Sequence, residues 1–273
     1  MSKNKIIFSA LLLFLSQTLH AVNDELLFAT APTHSAEETT KLYTPIINFL
    51  SAKTGKKFKL DIPTNFIQYS KNIQDNKYDM AFDGPHLVAW RMESHQHMPI
   101  VRLPDQIKIV IAAREDSPLS SMEDLQYGVR VCAFVPPNLL TMSMLSYFSS
   151  PAKQPEIIRV QGFKNLMTCL KTKKGDAAVL RDKLWDKANK DGLTKGLKLI
   201  AKPSRGYPGR TFSVGPKIDP ALRDKITNLL LSDEGRKAMG PLLERFKKKN
   251  AIKADPAEYE GLAELIRSVW GFQ

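Results

Sequence analysis

The sequence has few of the signals that mark an enzyme, a metal protein or a membrane protein. It contains no nucleophile elbow, no HExxH motif, no P-loop and no glycine fingerprint of a dinucleotide site. Cysteine is scarce, and the two that occur, Cys132 and Cys169, form no CxxC pair of the kind found in zinc and redox sites. Beyond residue 21 no apolar run is long enough to span a bilayer. We therefore expect a protein that is not an enzyme and that needs no cofactor.

The N-terminal segment is the strongly apolar part of the chain. Lys3 and Lys5 precede an apolar run over residues 6–15, and Ala21 is a small residue at a position typical of a cleavage site. This pattern predicts a secretory signal peptide over residues 1–21, cleaved near Ala21, and hence export to the periplasm. The run is too short to span a bilayer, so we expect no membrane insertion after cleavage.

Size and charge limit the architecture and the partners. The length left after cleavage suffices for two α/β lobes or for one large domain. The formal net charge of +12 falls by two when Lys3 and Lys5 leave with the signal peptide. A basic exported protein attracts anionic ligands, membrane surfaces or acidic partners, although solvated lysine side chains also explain the charge. Because the chain has no recognition motif for nucleic acid, we expect no such partner.

Export also bears on the two cysteines, because a disulfide persists in an oxidising compartment. Cys132 lies in a strand pattern over residues 129–135, and Cys169 lies in a helix pattern over residues 163–173. A strand and a neighbouring helix can bring two Cα atoms within bridging distance. A disulfide and a pair of buried free thiols both remain open.

Strand and helix patterns alternate along the chain, which predicts an α/β fold with parallel sheets covered by helices on both faces. Ser35 and Glu38 form a capping box at the start of a helix over residues 36–54, and Gly55 ends it. Three helices are expected at the C-terminal end, over residues 220–232, 234–246 and 256–269.

Residues 76–90 combine a buried strand, a sharp turn and a helix. A helical pattern begins near His86, directly after Asp83-Gly84-Pro85 has broken the strand. Such a junction places free backbone N–H groups and the positive end of a helix dipole at one point, which suits an anion or a polar ligand. We expect Asp83, Gly84, Pro85 and His86 to contact a ligand. The alternative is a structural turn in which Asp83 caps the helix.

Several short motifs occur in an order and spacing typical of one protein family. They are YTPIINFL at residues 43–50 with TG at 54–55, YDMAFDGP at 78–85, SP at 117–118 with DL at 124–125, GDAAV at 175–179, PG at 208–209 and IDPAL at 218–222. Through these motifs the chain resembles, over residues 27–265, the phosphate-, phosphite- and phosphonate-type periplasmic binding proteins of ABC transporters. That family has the type II periplasmic binding fold.

The resemblance implies two α/β lobes with two hinge strands and an interlobe cleft that closes around the ligand. The hinge crossings would fall near residues 108–113 and 211–214. Lobe one would comprise residues 22–107 and 210–273, and lobe two would comprise residues 108–209. The resemblance also implies a small-molecule ligand and a membrane ABC transporter permease as partner. We expect a monomer.

One loop of lobe two departs from the family pattern. Phosphonate binders usually have a turn rich in Ser, Thr and Gly after the strand that ends here at Phe134, whereas this chain has VPPNLLT over residues 135–141. Its two prolines remove two backbone donors. Asn138 and Thr141 are the candidate ligand contacts that remain in this loop.

A second departure follows Val179. The family often has an acidic residue there for the ligand's amine, and this chain has Arg181 and Asp182 nearby. A guanidinium in place of a carboxylate predicts that the ligand carries negative charge and that Arg181 meets it. In the alternative, Arg181 turns outward and pairs with Asp182 or Asp186.

Further candidate ligand contacts come from their positions beside predicted strands and hinges. They are Thr30, Thr33 and His34 in the first strand-to-helix loop, Tyr69 on the second helix, and Arg205, Tyr207 and Arg210 beside the second hinge. Ser35 acting only as a helix cap is the alternative for the first loop. Tyr69 is either an aromatic wall of the cleft or part of the core with Phe66 and Ile73. An arginine beside the hinge could close over an anion with bidentate geometry.

One cluster lies outside the family pattern. Met92, His95, His97 and Met98 supply soft or borderline donors that could hold copper or, through imidazole alone, other transition metals. Their spacing is not that of a recognised metal site. The leading hypothesis therefore assigns no metal to them.

Two functions compete. The first is an exported solute-binding protein that captures a small anionic or zwitterionic ligand, such as a phosphonate or another oxyanion, in an interlobe cleft for an ABC transporter. The alternative is a periplasmic sensor or a metal- or cofactor-binding protein of the same fold, not tied to phosphonate uptake.

Overall fold

The computed structural model describes residues 25–269 and Phe272. The expected signal peptide, residues 1–21, lies outside the described residues. Among the helices of the described part, none is both long and apolar enough to cross a membrane.

Within these residues the chain forms thirteen strands and nine α-helices. The strands are β1 (Glu25–Ala29), β2 (Lys57–Leu60), β3 (Met80–Asp83), β4 (Met98–Arg102), β5 (Gln106–Ile107), β6 (Ile109–Arg114), β7 (Arg130–Phe134), β8 (Glu156–Val160), β9 (Ala177–Arg181), β10 (Leu197–Ala201), β11 (Tyr207–Pro208), β12 (Thr211–Val214) and β13 (Ile252–Lys253). The helices are α1 (Ala36–Thr54), α2 (Phe66–Gln74), α3 (Pro85–His95), α4 (Leu139–Leu145), α5 (Phe163–Lys171), α6 (Asp182–Lys190), α7 (Pro220–Leu231), α8 (Asp233–Ala238) and α9 (Gly240–Arg245). Short 3₁₀ turns occur at Pro151–Lys153, Pro256–Tyr259 and Ala263–Leu265.

Two large sheets organise the fold. One has six strands in the order β13-β4-β12-β3-β1-β2, and the other has five in the order β10-β6-β9-β7-β8. Apolar clusters cover both faces of each sheet. In β6, for example, Ile109 and Ile111 pack into one cluster, and Val110 and Ala112 pack into another. A strand that is buried on both faces carries a continuous apolar run, which is why the sequence shows little alternation there.

Both sheets are mixed, so the expectation of parallel sheets is wrong. In the six-stranded sheet, β12 runs antiparallel to both β3 and β4. In the five-stranded sheet, β6 runs antiparallel to both β9 and β10. β6 and β12 are the strands at which the chain enters one sheet from the other. The alternation of strands and helices does not specify the direction of such a strand.

The connections between the two sheets contain β5 and β11, which pair antiparallel with each other. The segments predicted as crossing strands, residues 108–113 and 211–214, correspond to β6 and β12 and lie within the two sheets. Apolar periodicity identifies buried strands, and a strand of two residues is too short to show it. The prediction therefore placed the crossings a few residues too late.

Helix α1 has the predicted bounds and caps. Ser35 Oγ accepts a hydrogen bond from Glu38 N at 3.2 Å. Gly55 ends the helix with φ of 76°, in the left-handed region that glycine adopts without steric cost. The N-cap serine and the C-terminal glycine were sufficient to predict this element. The Glu38 carboxylate, the other half of the predicted capping box, pairs with His34 and Arg245 instead.

The C-terminal helices are shorter than predicted. The helix expected over residues 234–246 is split into α8 and α9, because Pro241 in the first turn of α9 has no N–H for a continuous helix. The helix expected over residues 256–269 is replaced by two 3₁₀ turns that flank Gly261, whose φ is 69°. A left-handed residue ends a right-handed helix.

Cys132 of β7 and Cys169 of α5 are joined by a disulfide, with their Cα atoms 6.2 Å apart. Both side chains are buried in the cluster on the α5 face of the five-stranded sheet. Of the two states that the sequence left open, the structure has the disulfide.

We expect the double variant Cys132→Ala/Cys169→Ala to lose about 2–4 kcal/mol of unfolding free energy, because the bridge restricts the unfolded chain across a long loop. Urea denaturation followed by circular dichroism measures the loss. The wild type under reducing conditions is a second arm and should approach the variant. An unfolding free energy equal to that of the oxidised wild type would contradict a stabilising bridge.

Candidate functional site

A cavity of about 210 Å³ lies between the six-stranded and the five-stranded sheets. The six-stranded side contributes the loop after β1, the start of α2, the junction of β3 with α3 and the residue before β12. The other side contributes the loop after β7, the first turn of α4 and the end of β9. The lining residues are Ala31, Thr33, Phe66, Gly84, His86, Leu87, Ile107, Pro137, Asn138, Leu139, Leu140, Arg181 and Arg210.

The junction of β3 with α3 forms one wall of the cavity. Asp83 ends β3, Gly84 is the N-cap of α3, and Pro85 is the first residue of the helix. Proline suits this position because its fixed φ is helical and its missing N–H would have no partner within the helix. The positive end of the α3 dipole therefore adjoins the wall formed by Gly84, His86 and Leu87.

A buried ion pair fixes this junction. Asp83 and Arg91 are almost completely inaccessible, and Arg91 Nη2 lies 3.2 Å from Asp83 Oδ2. The Tyr69 hydroxyl donates a short hydrogen bond to the same carboxylate oxygen and lies 2.7 Å from Arg91 Nη2. Asp83 Oδ1 accepts a hydrogen bond from Ala31 N at 3.0 Å. One carboxylate thus holds the loop after β1, helix α2 and helix α3 together.

Four residues predicted as ligand contacts on this side do not line the cavity, because their atoms are used inside the protein. Asp83 and Tyr69 belong to the buried ion-pair network. Thr30 is buried, and its hydroxyl donates to Phe82 O at 2.7 Å. Pro85 is buried in the first turn of α3. The geometry gives these residues a structural role in shaping the wall.

His86 joins the two sides of the cavity. Its Nε2 lies 2.7 Å from Pro137 O, in the loop after β7. Because a carbonyl oxygen only accepts, Nε2 carries the proton. The pKa of His86 is lowered to about 4, mainly by burial and to a smaller extent by the charge of Arg210. The hydrogen bond to Pro137 O and the charge of Asp83 oppose this shift. His86 is therefore a neutral donor that links α3 to the proline loop.

Arg210 brings a positive charge to the cavity wall. Its Nη2 lies 3.4 Å from Thr33 Oγ1, and its guanidinium carbon lies 5.6 Å from the centre of the Phe246 ring. The Arg210 carbonyl accepts a hydrogen bond from Leu103 N at 2.9 Å, which anchors the backbone beside β12. Among the described residues no carboxylate forms an ion pair with Arg210.

Arg181 also lines the cavity, but its charge is partly compensated. Its Nη2 forms a short ion pair with Asp105 Oδ2. This partner differs from both outcomes that the sequence suggested, since Arg181 pairs neither with Asp182 nor with Asp186 in the described structure. The contact between Arg181 and an anion stays a prediction.

The remaining predicted residues divide in the same way. Asn138 lines the cavity and caps α4, with Oδ1 accepting from Leu140 N at 3.0 Å. Thr141 is buried, and its hydroxyl donates to Phe134 O at 2.7 Å. His34 pairs with Glu38 across 3.2 Å outside the lining.

Asp182 and the residues beside β11 also lie outside the lining. Asp182 begins α6, and its Oδ1 accepts from Lys183 N. The Tyr207 hydroxyl bonds Ser143 Oγ, and the Arg205 guanidinium carbon lies 5.3 Å from the centre of the Tyr207 ring. These two side chains line a separate surface depression.

The side chains of the Met/His segment lie in different surroundings. His97 is buried near Ser213, and burial lowers its pKa to about 2. The His95 ring packs edge-on against Trp90, and Met98 is exposed at the start of β4. In the described part of the chain, no group of three His, Cys, Asp or Glu side chains could hold a metal ion.

The apolar part of the wall and the buried partner of Asp83 were not predicted from the sequence. Phe66 and Leu139 are the first residues of α2 and α4, and Leu140 follows in the same turn. A position at the start of a helix after a sheet strand is the signal that could have identified them. Arg91 gave no such signal, because an apolar helix pattern does not reveal which charged residue turns inward.

We expect Asp83→Asn to lower the unfolding free energy by about 3–5 kcal/mol, because it leaves the buried Arg91 charge without a counterion. Urea denaturation at neutral pH measures the loss. The double variant Asp83→Asn/Arg91→Met should lose less than the sum of the two single variants. Asp182→Asn, at a more exposed acid, is the matched control and should change stability by no more than about 0.5 kcal/mol. Additive losses would contradict the coupling.

The lowered pKa of His86 predicts a pH dependence of stability. Between the ordinary histidine pKa of about 6.5 and the folded value of about 4, the unfolded state binds a proton that the folded state does not. Stability should therefore fall as the pH drops through this window, by up to about 3 kcal/mol from this group. The difference in unfolding free energy between wild type and His86→Gln, measured from pH 7.5 to pH 4, isolates the share of His86. Parallel curves would contradict it.

Comparison with known proteins agrees with this architecture. XAC2383 from Xanthomonas citri, in a structure bound to ATP, is similar with a TM-score of 0.70 and 15% sequence identity, over 89% of this chain and 95% of that chain. PhnD1 from Prochlorococcus marinus, in complex with methylphosphonate, has a TM-score of 0.65 and 15% identity, over 90% and 98%. A binding protein component of an ABC phosphonate transporter (PA3383) from Pseudomonas aeruginosa has a TM-score of 0.61 and 14% identity, over 88% and 85%. At these identities the structural matches show the fold alone, which is a two-lobe type II periplasmic binding fold.

The sequence match is more informative about function. None of the curated protein sequences matches the chain significantly. Residues 28–259 match the family described as the periplasmic substrate-binding protein of phosphonate ABC transporters. This family is a solute-binding component of transport systems rather than a class of enzymes. Because the match covers most of the sequence, the chain belongs to the phosphonate-type periplasmic substrate-binding proteins of ABC transporters.

Proposed function

We propose that the chain captures a small oxyanion of the phosphonate type in the cavity between its lobes and delivers it to an ABC transporter permease. The observation that carries the proposal is the charge of the cavity wall. Arg181 and Arg210 line it, and no Asp or Glu does so among the described residues. A cavity with cationic walls accepts an anion without leaving a buried charge unpaired.

The cavity is large enough for a small ligand. Its volume of about 210 Å³ exceeds the space that a single buried water needs by roughly tenfold or more. A phosphonate with a short substituent fits this space. The methylphosphonate complex of the similar PhnD1 structure supports the same ligand class.

The wall offers different groups to the two ends of such a ligand. Arg210 can hold two oxygens with its planar guanidinium, and the start of α3 supplies the positive end of a helix dipole. Thr33, beside Arg210, adds a hydroxyl donor. An apolar surface that includes Phe66 and Leu139 would enclose the organic substituent.

The boundaries and the cellular setting complete the proposal. Lobe one comprises residues 22–107 and 210–273, lobe two comprises residues 108–209, and the hinge lies at β5 and β11. The signal peptide is removed near Ala21, and the mature protein acts in the periplasm as a monomer, without catalysis. The basic N-terminal segment with its apolar run supports the export step.

Arg210→Ala should weaken binding of the best oxyanion by about 30-fold or more, because it removes a charge-assisted contact worth at least about 2 kcal/mol. Isothermal titration calorimetry with methylphosphonate, phosphite, inorganic phosphate and sulfate measures the affinities. Arg205→Ala is the matched control, because it removes the same charge from the same connection. Arg205 does not line the cavity, so we expect the affinity of this variant to lie within about threefold of wild type. The proposal fails if no oxyanion in the panel binds, or if both variants bind equally well.

A further inference from the structure

Asp105 is shared by two cations that come from different sides of the hinge. It lies just before β5, in the first connection between the sheets. Arg181, at the end of β9, reaches its Oδ2 from the five-stranded side. Lys248, after α9, reaches the same oxygen from the six-stranded side, with Nζ 3.1 Å away. The carboxylate is 7% exposed, so it needs a cation to remain ionised without a large cost.

Both contacts act on the ionisation of this carboxylate. Burial alone would raise the pKa of Asp105, but the hydrogen bonds and charges of Arg181 and Lys248 together hold it below its usual value. Asp105 is thus an anion that two cations stabilise together.

Arg181 is held in the cavity wall mainly through this carboxylate. Apart from Asp105, its guanidinium has one long contact, Nη2 to Gln106 O at 3.4 Å. Its Nε is buried and has no hydrogen-bond partner among the described residues. An unpaired buried N–H is costly, so an anion in the cavity would give Arg181 a contact that its protein neighbours do not supply.

Lys248 differs from Arg181 in that it does not line the cavity. Its backbone N donates to Leu243 O at 2.8 Å, which fixes the start of its side chain on the six-stranded side. When Arg181 turns away from Asp105, Lys248 remains as the counterion. The release of Arg181 then breaks its ion pair with Asp105 but leaves the ion pair between Lys248 and Asp105 in place. The buried carboxylate therefore keeps a counterion.

We propose that Asp105 and Lys248 are positioning residues that control ligand affinity through Arg181. Asp105 and an anionic ligand compete for Arg181: when the ligand binds, Arg181 exchanges Asp105 for the anion while Lys248 keeps Asp105 paired. The inference rests on the proposed oxyanion ligand. It requires that two residues outside the cavity change affinity in opposite directions.

The test measures affinity for methylphosphonate, phosphite, inorganic phosphate and sulfate by isothermal titration calorimetry. Asp105→Asn removes the competitor for Arg181 and should strengthen binding on the order of tenfold. Lys248→Met makes the release of Arg181 leave Asp105 unpaired and should weaken binding by a similar factor. The double variant Asp105→Asn/Lys248→Met should again bind more tightly than the wild type, because Lys248 has no role once Asp105 is neutral.

Two matched control variants measure how far a change of net charge alone alters the ligand affinity. Asp182→Asn deletes an acid next to Arg181 that does not pair with it, and Lys249→Met deletes an exposed lysine next to Lys248. Each control should stay within about twofold of wild type. A tighter-binding Asp105→Asn cannot result from damage to the fold, so this gain separates exchange from a merely structural role.

The outcomes distinguish the two proposals. If Arg210→Ala weakens binding but Asp105→Asn weakens it too or leaves it unchanged, the exchange is wrong and the proposed function stands. An Asp182→Asn gain equal to that of Asp105→Asn also overturns the exchange, since charge alone would then explain it. If none of the four oxyanions binds the wild type, the proposed function and this inference fail together.

Discussion

The buried ion pair between Asp83 and Arg91 is the interaction on which one whole wall of the cavity depends. A buried charge needs both a counterion and hydrogen bonds, and Asp83 receives them from Arg91, from the Tyr69 hydroxyl and from Ala31 N. These partners come from three different segments of the chain. The same contacts that satisfy the carboxylate therefore fix where α2, α3 and the loop after β1 stand relative to one another.

The connection between the lobes is also constrained by backbone contact. A Cβ atom at Gly209 would overlap with the carbonyl oxygen of Leu103, so the second connection can lie against the first only if this residue is glycine. Leu103 N in turn donates to Arg210 O. This close approach places Arg210 at the cavity wall beside the hinge. The position of Arg210 therefore depends on how closely the two connections pack against each other.

The sequence was sufficient for the features that local chemistry determines. The caps of α1 follow from Ser35 and Gly55, and the strand, turn and helix around Gly84 follow from residue types in a fixed order. It was not sufficient where the outcome depends on which distant groups meet. Asp83 and Tyr69 sit where ligand contacts would be expected, and only the burial of Arg91 beside them shows that they satisfy one another. Strand direction and the partner of Arg181 escaped prediction for the same reason, whereas the hinge strands escaped because two residues are too few to show apolar periodicity.

The proline loop after β7 explains why the cations of this cavity lie where they do. A loop rich in hydroxyl and N–H groups could hold an anion by itself, but this loop offers the Pro137 carbonyl, which can only accept, and His86 donates to it. The loop therefore ties α3 to the five-stranded side, and the positive charge that an anion requires has to come from other elements. Arg210 reaches the cavity from the six-stranded side and Arg181 from the five-stranded side. On the proposed function, an anion held by Arg181 and Arg210 would link the same two lobes that the hydrogen bond between His86 and Pro137 O links. Both contacts need the lobes close together, so the formation of one favours the formation of the other.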